Sequence, residues 1–266
     1  MRQHLMLSSA VVALSLWAGI CVQPAAAADM PIKAPAAPIA DPAWTGWYLG
    51  LNAGGDWSAS KLSTSTTSVP GAGLQLSALA IGLINGLGSP TDIHSGGFTG
   101  GVQGGYNYQI GQWLVGVEAD IEHLRNAGSL SAATAPGTFN LNSSVSTDWL
   151  FTARPRLGVI SNNWLFYGTG GLAVTRISGT WNLAGSAGIA ENAAVASTKA
   201  GWVAGGGIET MLPGKWLVGA EYLYVNVASV SAVSSSTSFG TPLPNPFSHA
   251  ADLNANIVRV RLSKLF

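Results

Sequence analysis

From Trp47 onward the chain alternates large apolar residues with small or polar ones at a spacing of two. That period fits an extended strand with two unlike faces and does not fit a helix. Trp47, Leu49, Leu51 and Ala53 share one face, and Tyr48, Gly50, Asn52 and Gly54 share the other. The pattern returns with Phe98, Val102, Tyr106 and Tyr108 against Thr99, Gly101, Gln103, Gly105 and Asn107. It returns again with Trp113, Val115, Val117, Ala119 and Ile121 against Gly116, Glu118, Asp120 and Glu122. A fourth segment sets Trp149, Phe151, Ala153, Leu157 and Val159 against Asp148, Thr152, Arg154, Arg156 and Gly158, and a fifth sets Trp164, Phe166, Leu172 and Val174 against Tyr167, Thr169 and Thr175. Trp202, Ala204 and Ile208 oppose Lys199, Gly205 and Glu209 in a sixth. Trp216, Val218, Ala220, Tyr222 and Tyr224 oppose Glu221 in a seventh, and Val258, Val260, Leu262 and Phe266 oppose Arg259 and Arg261 in the last. Eight strands are expected, with Pro155 costing its strand a ladder hydrogen bond.

The connections supply a second signal. Gln109 to Gln112, Ser161 to Asn163 and Leu212 to Lys215 read as tight turns, whereas 59–94, 127–144, 177–196 and 228–251 read as long loops rich in Ser, Gly, Ala and Asn. Short turns on one rim and long loops on the other describe an eight-stranded antiparallel transmembrane β-barrel, which crosses the bilayer with tilted strands and leaves no unpaired edge. By parity alone a soluble barrel with the apolar face inside is equally consistent. The scarcity of charge (9% of residues), the Trp and Tyr at segment ends, the terminal Phe266 and an export signal favour lipid on the outside.

That signal occupies residues 1–27: Arg2, an apolar run from Leu5 to Val22, and Ala25-Ala26-Ala27 as the cleavage site. Cys21 lies within it, so the mature chain is expected to carry neither disulfide nor thiolate metal site. Prolines 31, 35, 38 and 42 make 28–43 an extended periplasmic tether, and the barrel domain is expected over 44–266. Twelve basic and twelve acidic residues leave no net charge, which removes the driving force for nucleic-acid binding.

Ala28-Asp29-Met30-Pro31-Ile32-Lys33-Ala34-Pro35, followed by Trp44-Thr45-Gly46-Trp47-Tyr48-Leu49-Gly50-Leu51-Asn52-Ala53-Gly54-Gly55, resembles the start of alphaproteobacterial outer-membrane barrels of the rhizobial and Brucella 25/31-kDa type. Further matches are Gly97 to Asn107, Tyr167 to Ala173, Gly201 to Glu209 and Glu221-Tyr222-Leu223-Tyr224. The resemblance covers the strands from Trp44 to Phe266 and not the long loops. It implies a small porin-like barrel without establishing a channel. The C-terminal strand is similar to the signal read by the barrel assembly machinery through Val258, Val260, Leu262 and Phe266, with Lys264 departing from the apolar outward set. At the rim the Lys264 stem can snorkel to the headgroups.

The lumen-facing charges are Glu118, Asp120, Glu122, Asp148, Glu209 and Glu221 against Arg154, Arg156, Lys199, Arg259 and Arg261. Eight strands enclose little more than their own side chains, so these charges are expected to pair across the lumen as a polar plug, with Arg154 and Arg156 beside the three acids of the preceding strand. The alternatives are a narrow path for ions or small polar solutes, and a metal held by Glu118, Asp120 and Glu122.

Catalytic motifs are wanting. His94 and His249 fall in expected loops, His123 falls near a strand end, and no Gly-x-Ser-x-Gly elbow or His-Glu-x-x-His occurs. Gly168 to Ala173 matches a loose phosphate-binding fingerprint but lies within a strand. The first loop carries Leu74, Leu76, Leu79, Ile81, Leu83, Ile84 and Leu87, which suits a self-packed lid or short helix over the mouth. The sequence is thus read as a monomeric, cofactor-free, non-enzymatic barrel of the outer membrane that contributes to envelope structure. Its expected partners are outer-membrane lipid, lipopolysaccharide and the assembly machinery, and the alternatives are a narrow pore or a loop-based binding or adhesion protein.

Overall fold

The computed structural model describes residues 44–134, 138–186 and 188–266; the expected export signal and tether lie outside them. Eight antiparallel strands form one closed barrel in sequence order: β1 (Gly46–Thr66), β2 (Thr91–Ile110), β3 (Trp113–Ala133), β4 (Phe139–Ser161), β5 (Trp164–Gly185), β6 (Ile189–Leu212), β7 (Trp216–Ser238) and β8 (Thr241–Leu265). β8 closes onto β1, with Tyr48 opposite Leu265 and Gly54 opposite Arg259. At one rim the strands are joined by tight turns whose left-handed positions fall on Gly111, Asn162, Gly214 and Lys215.

The strands are 20 to 25 residues long, about twice what a bilayer requires. Most of 59–66, 91–94, 127–144, 177–196 and 228–251, expected to be loop, is therefore strand, and the far rim has short connections everywhere except 67–90. That connection carries the helix α1 (Ala78–Leu87), capped by Ser77 Oγ, which accepts the Ala80 N–H at 3.1 Å.

A change of parity explains the extra length. Near the short-turn rim the apolar residues point outward: Trp47, Leu49, Phe98 and Val260 are each more than 60% exposed. Farther along the same strands they point inward. Ile177, Trp181, Leu253 and Ile257 are fully or almost fully buried, while Thr180 and Asn182 are exposed. On β8 the switch falls between Ile257 and Val258. The nine residues from Val258 to Phe266 run about 30 Å along the strand, or about 23 Å in height at a tilt of ~40°, close to the apolar band of outer-membrane barrels. Beyond that band the hairpins bury their apolar face against one another as a soluble sheet does.

Pro155 leaves the wall unbroken. The β4 and β5 registers on either side of it agree, Ala153 facing Leu172 and Arg156 facing Thr169. Thr169 Oγ1 donates to the Pro155 carbonyl at 2.8 Å, so that acceptor has a partner.

Candidate functional site: the ion-paired lumen

The inward residues of the outward-apolar band form one charged network. Glu118 faces Arg154 across β3 and β4, and Glu221 faces Arg259 across β7 and β8, so alternation and register alone bring opposite charges together. Arg154 Nη2 lies 2.7 Å from Glu118 Oε1 and 2.6 Å from Asp120 Oδ2. Arg156 bridges Glu118 at 3.3 Å and Glu209 at 2.8 Å. Arg259 reaches Asp120 at 3.1 Å, Glu122 at 3.0 Å and Glu221 at 2.6 Å. Arg261 contacts Glu118, and meets Glu221 at 2.9 Å and Glu209 at 3.4 Å. Five carboxylates thus share four guanidiniums, and every member is buried. Arginine suits such a site because its planar fork serves several carboxylates at once.

Two tyrosines complete the network, and the sequence reading did not assign them a role in it. Tyr48 Oη donates to Glu118 Oε2 at 2.5 Å and accepts from Arg156 Nη1 at 3.1 Å. Tyr167 Oη donates to Glu221 Oε1 at 3.0 Å and accepts from Arg261 Nη1 at 2.6 Å. The Arg156 guanidinium also stacks 4.0 Å from the Tyr167 ring centroid. The signal available in the sequence was positional: Tyr48 faces Gly105 and Tyr167 faces Gly207, both inward glycines that leave room for a ring. Gln103, with its amide oriented to serve these donors, accepts from Arg261 Nε at 2.9 Å and from Ser263 Oγ at 2.9 Å.

Two of the expected lumen residues do not join the network. Asp148 is exposed on the outside of β4. The β4–β5 register shifts between Thr147 and Leu150, so Asp148 and Trp149 both fall between inward residues and the simple alternation slips by one. Lys199 is half-buried and opposite Thr175, above the network, and has no ion pair among the described residues. The three acids Glu118, Asp120 and Glu122 sit among arginines, and no group of metal-ligating side chains occurs among the described residues.

Above the charges the interior is largely apolar, with the polar cluster of Asp56, Ser58 and Asn126 buried within it. Leu62, Leu124, Leu150, Ile177, Trp181, Leu223 and Leu253 belong to one buried cluster, and Ile84 of α1 caps the far end with Leu141, Leu183, Leu243 and Phe247. Two cavities in this upper region are each about 10 Å³, room for about one water. His249, expected in a solvated loop, is buried on β8. Its Nδ1 lies 3.0 Å from Thr64 Oγ1, its Nε2 lies 3.1 Å from both Ser234 Oγ and Glu191 Oε1, and its ring stacks on Trp181 at 5.0 Å. The extension of β7 and β8 beyond the outward-apolar band carries it inside.

Val258, Val260 and Leu262 of β8 and Phe266 just beyond it are exposed, each between 46% and 68%.

The family model described as "Outer membrane protein beta-barrel domain" matches residues 13–263. The chain is 34% identical over 236 residues to the 31 kDa outer-membrane immunogenic protein of Brucella melitensis, covering 86% of this chain and 91% of that protein. It is 30% identical over 150 residues to a 22 kDa outer membrane protein of Rhizobium leguminosarum bv. viciae, covering 56% and 62%. Among solved structures, the outer membrane protein OprG from Pseudomonas aeruginosa aligns at a TM-score of 0.42 with 12% identity, over 84% of this chain and 97% of that one. The outer membrane protease OmpT from Escherichia coli aligns at 0.47 with 9% identity, over 83% and 97%. The model match over nearly the whole chain and the Brucella relative together show that this protein belongs to the outer-membrane β-barrel family and resides in the outer membrane.

Proposed function

We propose that the protein is a structural barrel of the outer membrane, monomeric and closed, whose lumen is sealed by its own ion pairs. The observation that carries this reading is the succession along the barrel axis: a network of four arginines and five carboxylates, then a filled, largely apolar interior, then a helical lid. An ion entering the lumen would have to displace paired guanidiniums and then cross an apolar plug, and both steps oppose conduction. The short-turn rim faces the periplasm and the long hairpins project outward. Lipopolysaccharide surrounds the outer part of the band, and the exposed face of β8 supplies the segment read by the assembly machinery.

An enzymatic role is not supported. His249, Glu191 and Thr64 are buried, the imidazole against Trp181 and Phe247, and Ser234 is half-buried, so this group presents little surface to a substrate.

Single-channel conductance of the protein purified from outer membranes tests the sealed lumen. Silence is expected, and it is expected to persist in an Arg154→Ala and Arg156→Ala double variant, because the apolar interior and the lid beyond the network stay in place. Stable conductance steps in the unmodified protein would overturn the seal and favour a narrow pore.

A second reading, binding through the far rim, has one observation in its favour. Leu74, Leu79 and Phe239 stand 62%, 74% and 81% exposed there, well outside the lipid band. Removing residues 67–90 and measuring adhesion with the barrel intact tests it.

A further inference from the structure

Lys264 interrupts an otherwise apolar outward row on β8, between Leu262 and Phe266. Its position opposite Trp216 lays the stem along the indole, with Nζ 5.4 Å from the ring centroid, and the ammonium donates to the Gly214 carbonyl in the β6–β7 turn. One of its three donors is thereby occupied and two remain. Lys215 lies in the same turn, and its carbonyl accepts the Leu265 N–H at 3.0 Å. Neither lysine takes part in any ion pair among the described residues.

Beside Lys264 the outer wall is concave. A groove of about 570 Å³ crosses β7, β8, β1 and β2 where the barrel closes on itself, lined by Leu49, Leu51, Trp216, Leu262 and Phe266 with Lys264 at its edge. It meets a second groove of about 550 Å³ that shares Leu51 and Leu262 and continues toward Val218 and Val260. An apolar furrow that runs up the wall from the Lys264 ammonium, with Lys215 in the adjoining turn, has the shape of one amphiphile with an anionic head at the rim and a hydrocarbon tail along the barrel.

We propose that Lys264 and Lys215, together with this groove, bind one anionic glycerophospholipid at the short-turn rim. The headgroup phosphate lies on the two ammonium groups, and an acyl chain lies between Trp216, Leu262 and Leu49. The proposal rests on the orientation given above, in which this rim meets the phospholipid leaflet facing the periplasm. It also gives the departure of Lys264 from the apolar pattern a chemical reason, because a lysine at this depth binds an anion while keeping its stem in hydrocarbon.

The test uses protein extracted from the outer membranes of cells expressing the full chain, exchanged into micelles holding equal phosphatidylglycerol and phosphatidylcholine. Retained lipid is counted by native mass spectrometry. Retention of one phosphatidylglycerol in preference to phosphatidylcholine is expected, with the preference falling about fivefold for each of Lys264→Gln and Lys215→Gln. Free glycerol phosphate is expected not to compete, because it lacks the tail that fills the groove; displacement of the lipid by glycerol phosphate would overturn the groove's part in the site. Equal retention of the two lipids by the unmodified protein would overturn the proposal, and this arm needs no variant to fold. So would an undiminished preference in the Lys264→Gln and Lys215→Gln double variant with its barrel intact by heat-modifiable gel mobility. Flotation of the unmodified protein with vesicles of either lipid separates the two ideas: failure to float with both refutes membrane insertion and with it the orientation, whereas flotation with both together with equal retention of the two lipids refutes only the site.

Discussion

Tyr167 lies across the bare backbone of its cross-strand partner Gly207, so closely that a Cβ on that glycine would sit 2.6 Å from the Tyr167 hydroxyl oxygen. The glycine gives the ring a floor, and the ring presents its hydroxyl to Glu221 and Arg261. Tyr48 has the same relation to Gly105, where a Cβ would lie 2.5 Å from its hydroxyl. An aromatic residue covering a cross-strand glycine is a recurrent device of curved sheets. Here it also orients two hydrogen-bond donors within a charged core.

Gly207→Val is therefore expected to destabilise the barrel by about 1–3 kcal/mol, the range for overpacking a filled interior, with part of the loss coming from displacement of Tyr167 from Glu221. Denaturant unfolding in phospholipid vesicles measures it. A change within about 0.5 kcal/mol would show that the ring moves freely and that its hydrogen bonds contribute little.

Arg259 places Nε and Nη2 on the same oxygen of Glu221, at 2.9 and 2.6 Å, while Nη1 serves Glu122. Arg259→Ala leaves these carboxylates buried with fewer counter-charges, and a loss of about 3–5 kcal/mol is expected. Replacing exposed Lys61 by Ala is expected to change stability by less than about 0.5 kcal/mol under the same conditions. Equal effects of the two substitutions would contradict a buried network.

Trp181 is fully buried in the apolar interior beyond the lipid band. Trp181→Ala is expected to cost about 3–5 kcal/mol for the outer hairpins. Because that region is separate from the outward-apolar band, the variant is expected to insert into membranes normally while its hairpins become protease-sensitive. Failure of insertion would show that the two regions fold as one unit.

Ile84 is the buried anchor of α1, packed with Leu76, Leu141, Leu183 and Phe247. A loss of about 2 kcal/mol in Ile84→Ala, the lower end for a core truncation, raises the open population of the lid roughly thirtyfold. Limited proteolysis is expected to cut within 67–90 at a correspondingly higher rate, with the barrel fragment still heat-modifiable. Unchanged cleavage would mean that the lid is held by its other contacts, such as the Thr66 N–H bond to Asn85 Oδ1 at 2.8 Å.

Alternation alone determined the strand count, the outward residues of the lipid band and, through parity, which charges share the lumen. These properties were legible because a two-residue period maps directly onto two faces. Nine of the eleven residues expected in the lumen network meet there: Glu118, Asp120, Glu122, Arg154, Arg156, Glu209, Glu221, Arg259 and Arg261. Three things were decided only by tertiary structure. A register shift beside Thr147 put Asp148 outside, and a single added residue in a ladder leaves no local sequence signature. The apolar face changes from outward to inward along the strands, so Ile177, Trp181 and Leu253 are buried; read with one parity throughout, their segments pass for loops. His249 is buried with Glu191 and Ser234, and the lid lies over Phe247, because long hairpins from distant parts of the chain converge at the far rim. A local period specifies which face a residue occupies, whereas the closure of eight strands specifies what that face meets.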